Sequence, residues 1–341
     1  MKIFITGATG FLGQYLVREI ALKHFDVKEI FILSRNSEFS KFSDLENVKL
    51  IKGDITNPQM IENNVDYNNI IENVDFIIHA AALYDVMASH SECYLQNVVG
   101  TQNTLRLIKN CKKLKAFFYV STIAVGDEET YFLEEDHFPE RKKFNDYYSE
   151  TKYHAEKMVR DLKGLSDCKL PIRIIRPGII IGDSVTGRMD KCDGPYYFMS
   201  VLKKHSLLLK TIAYLPLSFN PKTRLPIIPV DHCAQAMVAL ILREDFSLEL
   251  KTYHLISSEL PTIKEFLEDI NQALCLKTQY IPVMKNPVHN SLLKLLGIPK
   301  ELIPFMFSKL SYDKTRTIED LPELKKSMYS DYKEKLFLYL A

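Results

Sequence analysis

Tyr148 and Lys152 stand four residues apart in the run Tyr147-Tyr148-Ser149-Glu150-Thr151-Lys152, inside a helical pattern over Tyr147–Leu162. Residues at i and i+4 share one helix face. A free phenol titrates at about pH 10, too high to exchange a proton readily at neutrality. A neighbouring ammonium favours the phenolate and lowers that value. A phenol so tuned can supply the proton that a carbonyl oxygen needs as hydride reaches its carbon. The chain has 18 tyrosines, so such a spacing arises easily by chance and gains weight only beside a nucleotide site. The third member expected is a hydroxyl where the run Val120-Ser121-Thr122 ends, and either Ser121 or Thr122 can supply it to a substrate oxygen. The plain alternative is a hydroxyl that satisfies loop backbone.

A nucleotide site is announced by Thr6-Gly7-Ala8-Thr9-Gly10-Phe11-Leu12-Gly13, whose glycines fall as G-x-x-G-x-x-G between an apolar run and a helical pattern. Glycine leaves room for a tight turn and for backbone N–H groups to approach a pyrophosphate, and the helix N-terminus faces the negative charge. The chain has 12 glycines and three of them are here, which favours a nucleotide loop over a turn that merely collects glycine. Gly7, Thr9, Gly10, Phe11, Leu12 and Gly13 are therefore candidate cofactor contacts. The next strand ends Phe31-Ile32-Leu33-Ser34-Arg35. An acidic residue there would hold the ribose 2′-hydroxyl of NAD, whereas the guanidinium of Arg35 matches a 2′-phosphate, so NADP(H) is the expected cofactor. A merely solvated arginine is the alternative. Asp54, in Gly53-Asp54-Ile55-Thr56, follows the third strand. It accepts from an adenine amino group with Ile55 beside it, or caps the next helix, or both.

These residues need elements to hold them. Apolar runs at Lys2–Thr6, Glu29–Ser34, Val48–Lys52, Asp75–His79, Phe117–Ser121 and Pro171–Arg176 read as strands. Between them, helical patterns cover Phe11–Lys23, Ser91–Asn110 and Tyr147–Leu162. Short strands separated by helices call for parallel pairing and crossover connections. Runs apolar on both faces belong between two helix layers. The fold expected is α/β, a Rossmann doubly wound parallel sheet with a smaller, mostly helical substrate lobe. The regular pattern loosens over residues 183–224, returns as a strand and helix at Pro226–Leu242 and a strand at Thr252–Ile256, and gives way to a largely helical tail. The division expected is 1–182 with 225–258 for the nucleotide domain, and 183–224 with 259–341 for the substrate lobe.

Composition narrows the classes. The chain has 341 residues, 46% of them hydrophobic and 26% charged, enough for a core without disulfides or a structural metal. Forty-four basic residues against 43 acidic leave a net charge of +1, which argues against a nucleic-acid partner. The six cysteines are scattered, with no zinc or redox pair, and no histidine has ligand spacing, so no metal is expected. There is no room for a signal peptide before the glycine loop and no uncharged span long enough for a membrane, so a cytoplasmic location is expected.

Taken together, Thr6–Gly13, Gly53-Asp54, His79-Ala80-Ala81-Ala82, Asn97-Val98-Val99-Gly100-Thr101, Val120-Ser121-Thr122, Tyr148/Lys152 and Arg176-Pro177-Gly178 resemble the extended short-chain dehydrogenase/reductases. The stretch from Gly182 to Phe198, with Ile228-Pro229-Val230-Asp231, Tyr253-His254-Leu255 and Gly297-Ile298-Pro299, is similar to the amino-terminal reductase module of bacterial alcohol-forming fatty acyl-CoA reductases. The wider thioester-reductase and male-sterility group shares the Rossmann part. The resemblance implies Tyr148 as proton donor, Lys152 on the nicotinamide ribose, Thr122 orienting the carbonyl and Asn97 supporting the site. Ala80, Ala81, Pro177 and Gly178 would border the cofactor. The loop Ile123-Ala124-Val125-Gly126 is one residue shorter than in many relatives, which keeps Ser121 open beside Thr122.

The resemblance further implies an NADPH-dependent oxidoreductase acting on a lipid-like carbonyl, a fatty aldehyde or a fatty acyl thioester. Such enzymes carry a second reductase module and this sequence ends at Ala341, which implies one reduction, the aldehyde-to-alcohol step. Tyr196–Phe198, Leu207–Leu217 and Leu292–Phe307 are candidate tunnel walls, although for most of these residues the stronger reading is amphipathic helices that bury their own core face; the last is also a candidate for peripheral membrane contact. Exposed apolar surface would serve a homodimer or a partner reductase module. Other readings are a reductase of another carbonyl (a steroid-like one among them), a nucleotide-sugar enzyme using Lys222, Arg188 and Arg224, and a non-catalytic NADP-binding sensor.

Overall fold

The computed structural model describes residues 1–24, 26–36, 40–85, 88–126, 131–165, 168–190, 194–243, 247–283 and 304–338. Seven parallel strands form the main sheet: β1 (Lys2–Thr6), β2 (Glu29–Ser34), β3 (Val48–Lys52), β4 (Phe76–His79), β5 (Ala116–Val120), β7 (Ile172–Pro177) and β11 (Leu250–Leu255). A two-residue strand β6 (Phe132–Leu133) lies outside it. The order β3-β2-β1-β4-β5-β7-β11 reverses direction between β1 and β4, and ligands bind beyond the carboxyl ends of strands at such a point. The first three strands and the first helix coincide with the expected bounds, while β4, β5, β7 and β11 differ by one or two residues at their ends.

Helices cover both faces, as doubly apolar strands require. Helix α1 (Phe11–Lys23) buries Gly13, Leu16, Val17 and Ile20, a single stripe at helical spacing, in one core with Cys233, Met237 and Leu240 of α8 (Val230–Ile241). Truncating Leu16 to Ala there would cost about 2–5 kcal/mol. On the other face lie α2 (Asn64–Asn73), α4 (Gly100–Asn110) and α5 (Tyr147–Lys163), which pack Ile70, Leu105, Ile108, Ala155 and Val159 onto Phe4, Phe31 and Phe117. Asn63, not Asp54, caps α2 by accepting from Val65 N–H. The segment expected as one helix over Ser91–Asn110 is a short α3 (His90–Cys93), a π-helical stretch over Tyr94–Val99, and α4.

A second core gathers Tyr196, Met199 and Leu202 of α6 (Gly194–Lys204), Phe266, Leu267 and Ile270 of α9 (Ile263–Ala273) and Tyr332 and Leu336 of α11 (Tyr329–Phe337). The stretch 183–224, without regular period in sequence, contains α6, α7 (Ser206–Leu209) and β9 (Tyr214–Ser218). Strand β9 pairs in parallel with β12 (Gln279–Val283), β8 (Ile179–Ile181) with β10 (Ile227–Pro229), and β13 (Ser311–Tyr312) with β6. The tail returns to the sheet through α10 (Thr315–Asp320), and Leu321 and Leu324 pack into the core of α1 and α8. No helix among the described residues is long and apolar enough to cross a membrane.

Candidate active site

The glycine loop is built by close backbone approach. Gly7 has φ +77°, and a Cβ on it would stand 2.5 Å from Ala81 N, so Ala80 and Ala81 form the floor directly beneath the loop. A Cβ at Gly13 would stand 2.1 Å from Gly7 O. Gly10, by contrast, meets only Gly7 O at 3.3 Å, which leaves its outer side open to a ligand. Gly10 is the N-cap of α1 and offers no side-chain oxygen, so the N–H groups of the first turn face outward without a capping side chain. This cradle suits a pyrophosphate. Lys41 Nζ lies 3.4 Å from Thr9 O, and Gln14 Nε2 donates to Thr9 O at 3.1 Å and to Asp190 Oδ2 at 3.1 Å.

From this cradle a cavity of about 640 Å³ runs into the second lobe. Thr9, Phe11, Leu12 and Lys41 line one end, Thr122, Tyr148, Tyr84 and Gly178 the middle, and Tyr196, Phe198, Phe266, Leu267 and Met306 the far wall. The ring of Tyr84 meets that of Tyr148 edge-on, with centroids 4.7 Å apart. Asp146 caps α5 by accepting from Ser149 N–H at 2.7 Å, which starts the helix one residue before Tyr148. Thr122 accepts from Ala124 N–H at 3.2 Å and stands on the cavity wall. Ser121 points the other way: its hydroxyl donates to the buried carboxylate of Glu156 at 2.5 Å.

Lys152 is fully buried one turn beyond Tyr148, and burial pushes its amine down to about 7 against the opposing pull of Glu156. Its ammonium donates to Tyr119 Oη at 2.9 Å and to Val120 O at 2.7 Å. Glu156 is held down to about 2, against its own burial, by Arg176, whose Nη2 stands 2.6 Å away, and by Arg160 and Ser121. Asn97, in the π-helical stretch, accepts from Leu83 N–H at 2.7 Å and donates to Leu83 O at 3.2 Å and to Thr151 Oγ1 at 3.0 Å. It ties the loop carrying Tyr84 to α5, and π segments gather at such working positions.

Residues 5–237 match the family model described as Male sterility protein. The chain belongs to that family. It is an NAD(P)-dependent oxidoreductase of the extended short-chain dehydrogenase/reductase type, a reductase module as the resemblance implied. L-2-aminoadipate reductase of Saccharomyces cerevisiae is 26% identical over 302 residues, covering 78% of this chain and 20% of that protein. Fatty acyl-CoA reductase wat of Drosophila melanogaster is 26% identical over 286 residues, covering 70% of this chain and 53% of that protein. The chain thus spans between a fifth and about half the length of these two curated relatives. The terminal R domain from the myxalamid PKS-NRPS biosynthetic pathway superposes with a TM-score of 0.73 at 23% identity, over 98% of this chain and 90% of that chain, and shares the fold.

Several expected site residues lie apart from the cavity. Arg35 is exposed at the end of β2, and Asp54 accepts from Thr56 N–H and Oγ1 within its own turn. Ile55 is buried against Gly100, and Pro177 is buried at the end of β7, beside Gly178. Of the expected tunnel walls, Tyr196, Phe198 and Met306 line the cavity. Leu207–Leu217 does not: Leu207 and Leu208 face solvent, and Leu209 and Leu217 fill the lobe's own core. Lys191, Cys192, Asp193 and residues 292–303, with Gly297-Ile298-Pro299, lie outside the described residues. The sequence reading missed Lys41, Tyr84, Phe266, Tyr119 and Glu156. Only Glu156, a third member of the spacing Tyr148, Lys152, i+4, had a signal there to find.

Proposed function

We propose that this chain is an NADPH-dependent reductase of a carbonyl carried on an apolar chain, a fatty aldehyde or a fatty acyl thioester. The carrying observation is one cavity lined at once by Thr9, Phe11 and Leu12 of the glycine loop, by Tyr148 and Thr122, and by apolar side chains of the second core. The names of the relatives, an aminoadipate reductase and a fatty acyl-CoA reductase, support a carbonyl at the carboxyl oxidation level or one step below it. Lys41, whose Nζ stands 3.4 Å from Thr9 O, puts a cation at the cradle and supports a 2′-phosphate on the nucleotide. Arg35 follows the last residue of β2, where the sequence pattern expects the residue that reads the ribose.

When bound, NADPH supplies the hydride that adds to the carbonyl carbon. The protein's part is to hold the carbonyl and the proton. Thr122 donates to the carbonyl oxygen and aligns it, and Tyr148 gives its phenolic proton to that oxygen as negative charge develops there. Lys152 uses two N–H groups on Tyr119 and Val120, leaving a third for the nicotinamide ribose, and its charge favours the phenolate left on Tyr148. The side chains of Phe198, Phe266 and Leu267 exclude water from the acyl chain.

The test is a panel of decanal, decanoyl-CoA and a UDP-sugar with NADPH oxidation as readout, in wild type and Tyr148→Phe. Turnover of decanal or the thioester is expected, with a loss of about 100-fold or more in Tyr148→Phe at unchanged NADPH affinity. Turnover of the UDP-sugar alone, or full activity in Tyr148→Phe, overturns the reading. Arg35→Ala and Lys41→Ala are each expected to weaken NADPH but not NADH, and equal wild-type affinities for the two nucleotides would remove the cofactor assignment.

A further inference from the structure

Thr6, His79 and Tyr119 sit at one register across three adjacent strands, Thr6 opposite His79 and His79 opposite Tyr119. Their side chains therefore leave the same face of the sheet in a row. All three are fully buried, and Thr101 of α4 and Lys152 of α5 close the row from above. Thr6 Oγ1 stands 2.6 Å from His79 Nδ1, and His79 Nε2 stands 3.0 Å from Thr101 Oγ1. The His79 and Tyr119 rings lie 5.9 Å apart between centroids, and Lys152 Nζ donates to Tyr119 Oη at 2.9 Å. The polar row thus runs from the residue before Gly7 to the lysine of the reductase site.

We propose that Tyr119, its ring packed against His79, is a positioning residue for Lys152, the hydrogen-bond acceptor that fixes the ammonium beside the cleft. This inference rests on the reading of Lys152 as part of the reductase site. The polarity follows from counting protons. Thr101 donates its only proton to Asn97 O at 2.6 Å, so it accepts from His79. His79 is then protonated on Nε2, and its Nδ1 accepts from Thr6. An ammonium can only donate, so Tyr119 Oη is the acceptor of the Lys152 bond. Its ring also lies under the ammonium, with Nζ 4.4 Å from the centroid.

The charged and titratable neighbours agree with this arrangement. From α5, Glu156 favours the ammonium, and Tyr148 stands one turn before it. From β4, His79 stays neutral, since burial and the Lys152 charge push it down to about 3. From β5, burial drives the Tyr119 phenol well above its ordinary value, so it remains a neutral acceptor. Taking that acceptor away makes the ammonium less favourable and lowers the pH at which Lys152 loses its proton.

The test is Tyr119→Phe, which keeps the ring and deletes the acceptor, with Tyr119→Met as a second variant whose flexible side chain fills the space without a hydroxyl. NADPH binding is followed by nucleotide fluorescence from about pH 6 to 9, without turnover, alongside the pH profile of kcat/KM. The binding midpoint is expected to move down by about one pH unit in Tyr119→Phe and by at least as much in Tyr119→Met. A wild-type profile flat over that range, or midpoints within about 0.2 unit of wild type in the variants that fold, overturns the inference. Should Tyr119→Phe not fold, Tyr119→Met alone decides. Tyr148→Phe separates the two readings: full turnover in that variant sinks the reductase assignment, whereas an unmoved midpoint in the others sinks only the role of Tyr119.

Discussion

The Ser121 hydroxyl donates to Glu156 Oε2 at 2.5 Å, while the hydroxyl of Thr122, the next residue, stands on the cavity wall. A strand sends successive side chains to opposite faces, so the two hydroxyls part as β5 ends. Thr122→Ala is expected to lose about 100-fold or more in kcat with stability little changed. Ser121→Ala is expected to keep most activity and to lose about 1–3 kcal/mol of stability, because a buried carboxylate then lacks one donor. Steady-state kinetics and urea unfolding check both, and the reverse pattern would reassign the hydroxyl to Ser121.

Acid should destabilise the chain earlier than its carboxylates alone would. His79 and His254 are buried and neutral, pushed by burial from 6.5 down to about 3 and about 4, with Arg176 adding to the effect on His254. A folded value below the unfolded one means that stability is whole above 6.5 and is lost as the unfolded chain takes up protons below it. Glu156, lowered from 4.5 to about 2, acts in the same direction, its contribution present above 4.5 and lost as pH falls through about 2. Between about pH 7 and 5 each histidine should cost about 2 kcal/mol, read as a falling urea midpoint. A midpoint constant over that interval would place a charged histidine in the folded core.

The central strands β1, β2, β4 and β5 were legible because their runs are apolar on both faces, and the glycine spacing was legible because only a backbone cradle needs it. Tyr119 was hidden by the same apolarity: in Ala116–Val120 it reads as one more buried aromatic, and only the register with His79 and Thr6 gives it a partner. The π-helical stretch at Tyr94–Val99 leaves no mark in an i, i+4 pattern. Strands β9 and β12 pair across more than sixty residues of sequence, beyond any local period. Apolar content alone does not say which way Leu207–Leu217 faces: Leu209 and Leu217 take the core reading, not the tunnel one, and Leu207 and Leu208 face solvent.

Two glycines of one loop should fail differently. A Cβ at Gly13 collides with Gly7 O at 2.1 Å and Ala8 Cα at 2.7 Å, all backbone, so α1 cannot seat against the loop. Gly13→Ala is expected to lower the unfolding midpoint and abolish nucleotide binding together. At Gly10 the single neighbour stands at 3.3 Å, so Gly10→Ala should fold normally and bind NADPH about 10-fold or more weakly, its methyl occupying the approach of the pyrophosphate. Calorimetry and a nucleotide titration distinguish the two, and undiminished binding in Gly10→Ala would move the phosphate away from the first turn of α1.

Asn97 should act through Tyr84 rather than on the reacting atoms. Its amide holds both backbone groups of Leu83 and donates to Thr151, so it fixes the loop whose next residue packs its ring on Tyr148. Asn97→Leu fills the same space without those bonds and is expected to cost about 1–3 kcal/mol. Misplacing the Tyr148 ring by a fraction of an ångström should also lower kcat by about 10-fold or more. Asn97→Asp keeps the acceptor for Leu83 N–H and loses the two donated bonds, so its kcat should fall between the other two. An Asn97→Leu enzyme with wild-type kcat and reduced stability would leave Asn97 a purely structural residue and free Tyr148 from any dependence on that loop.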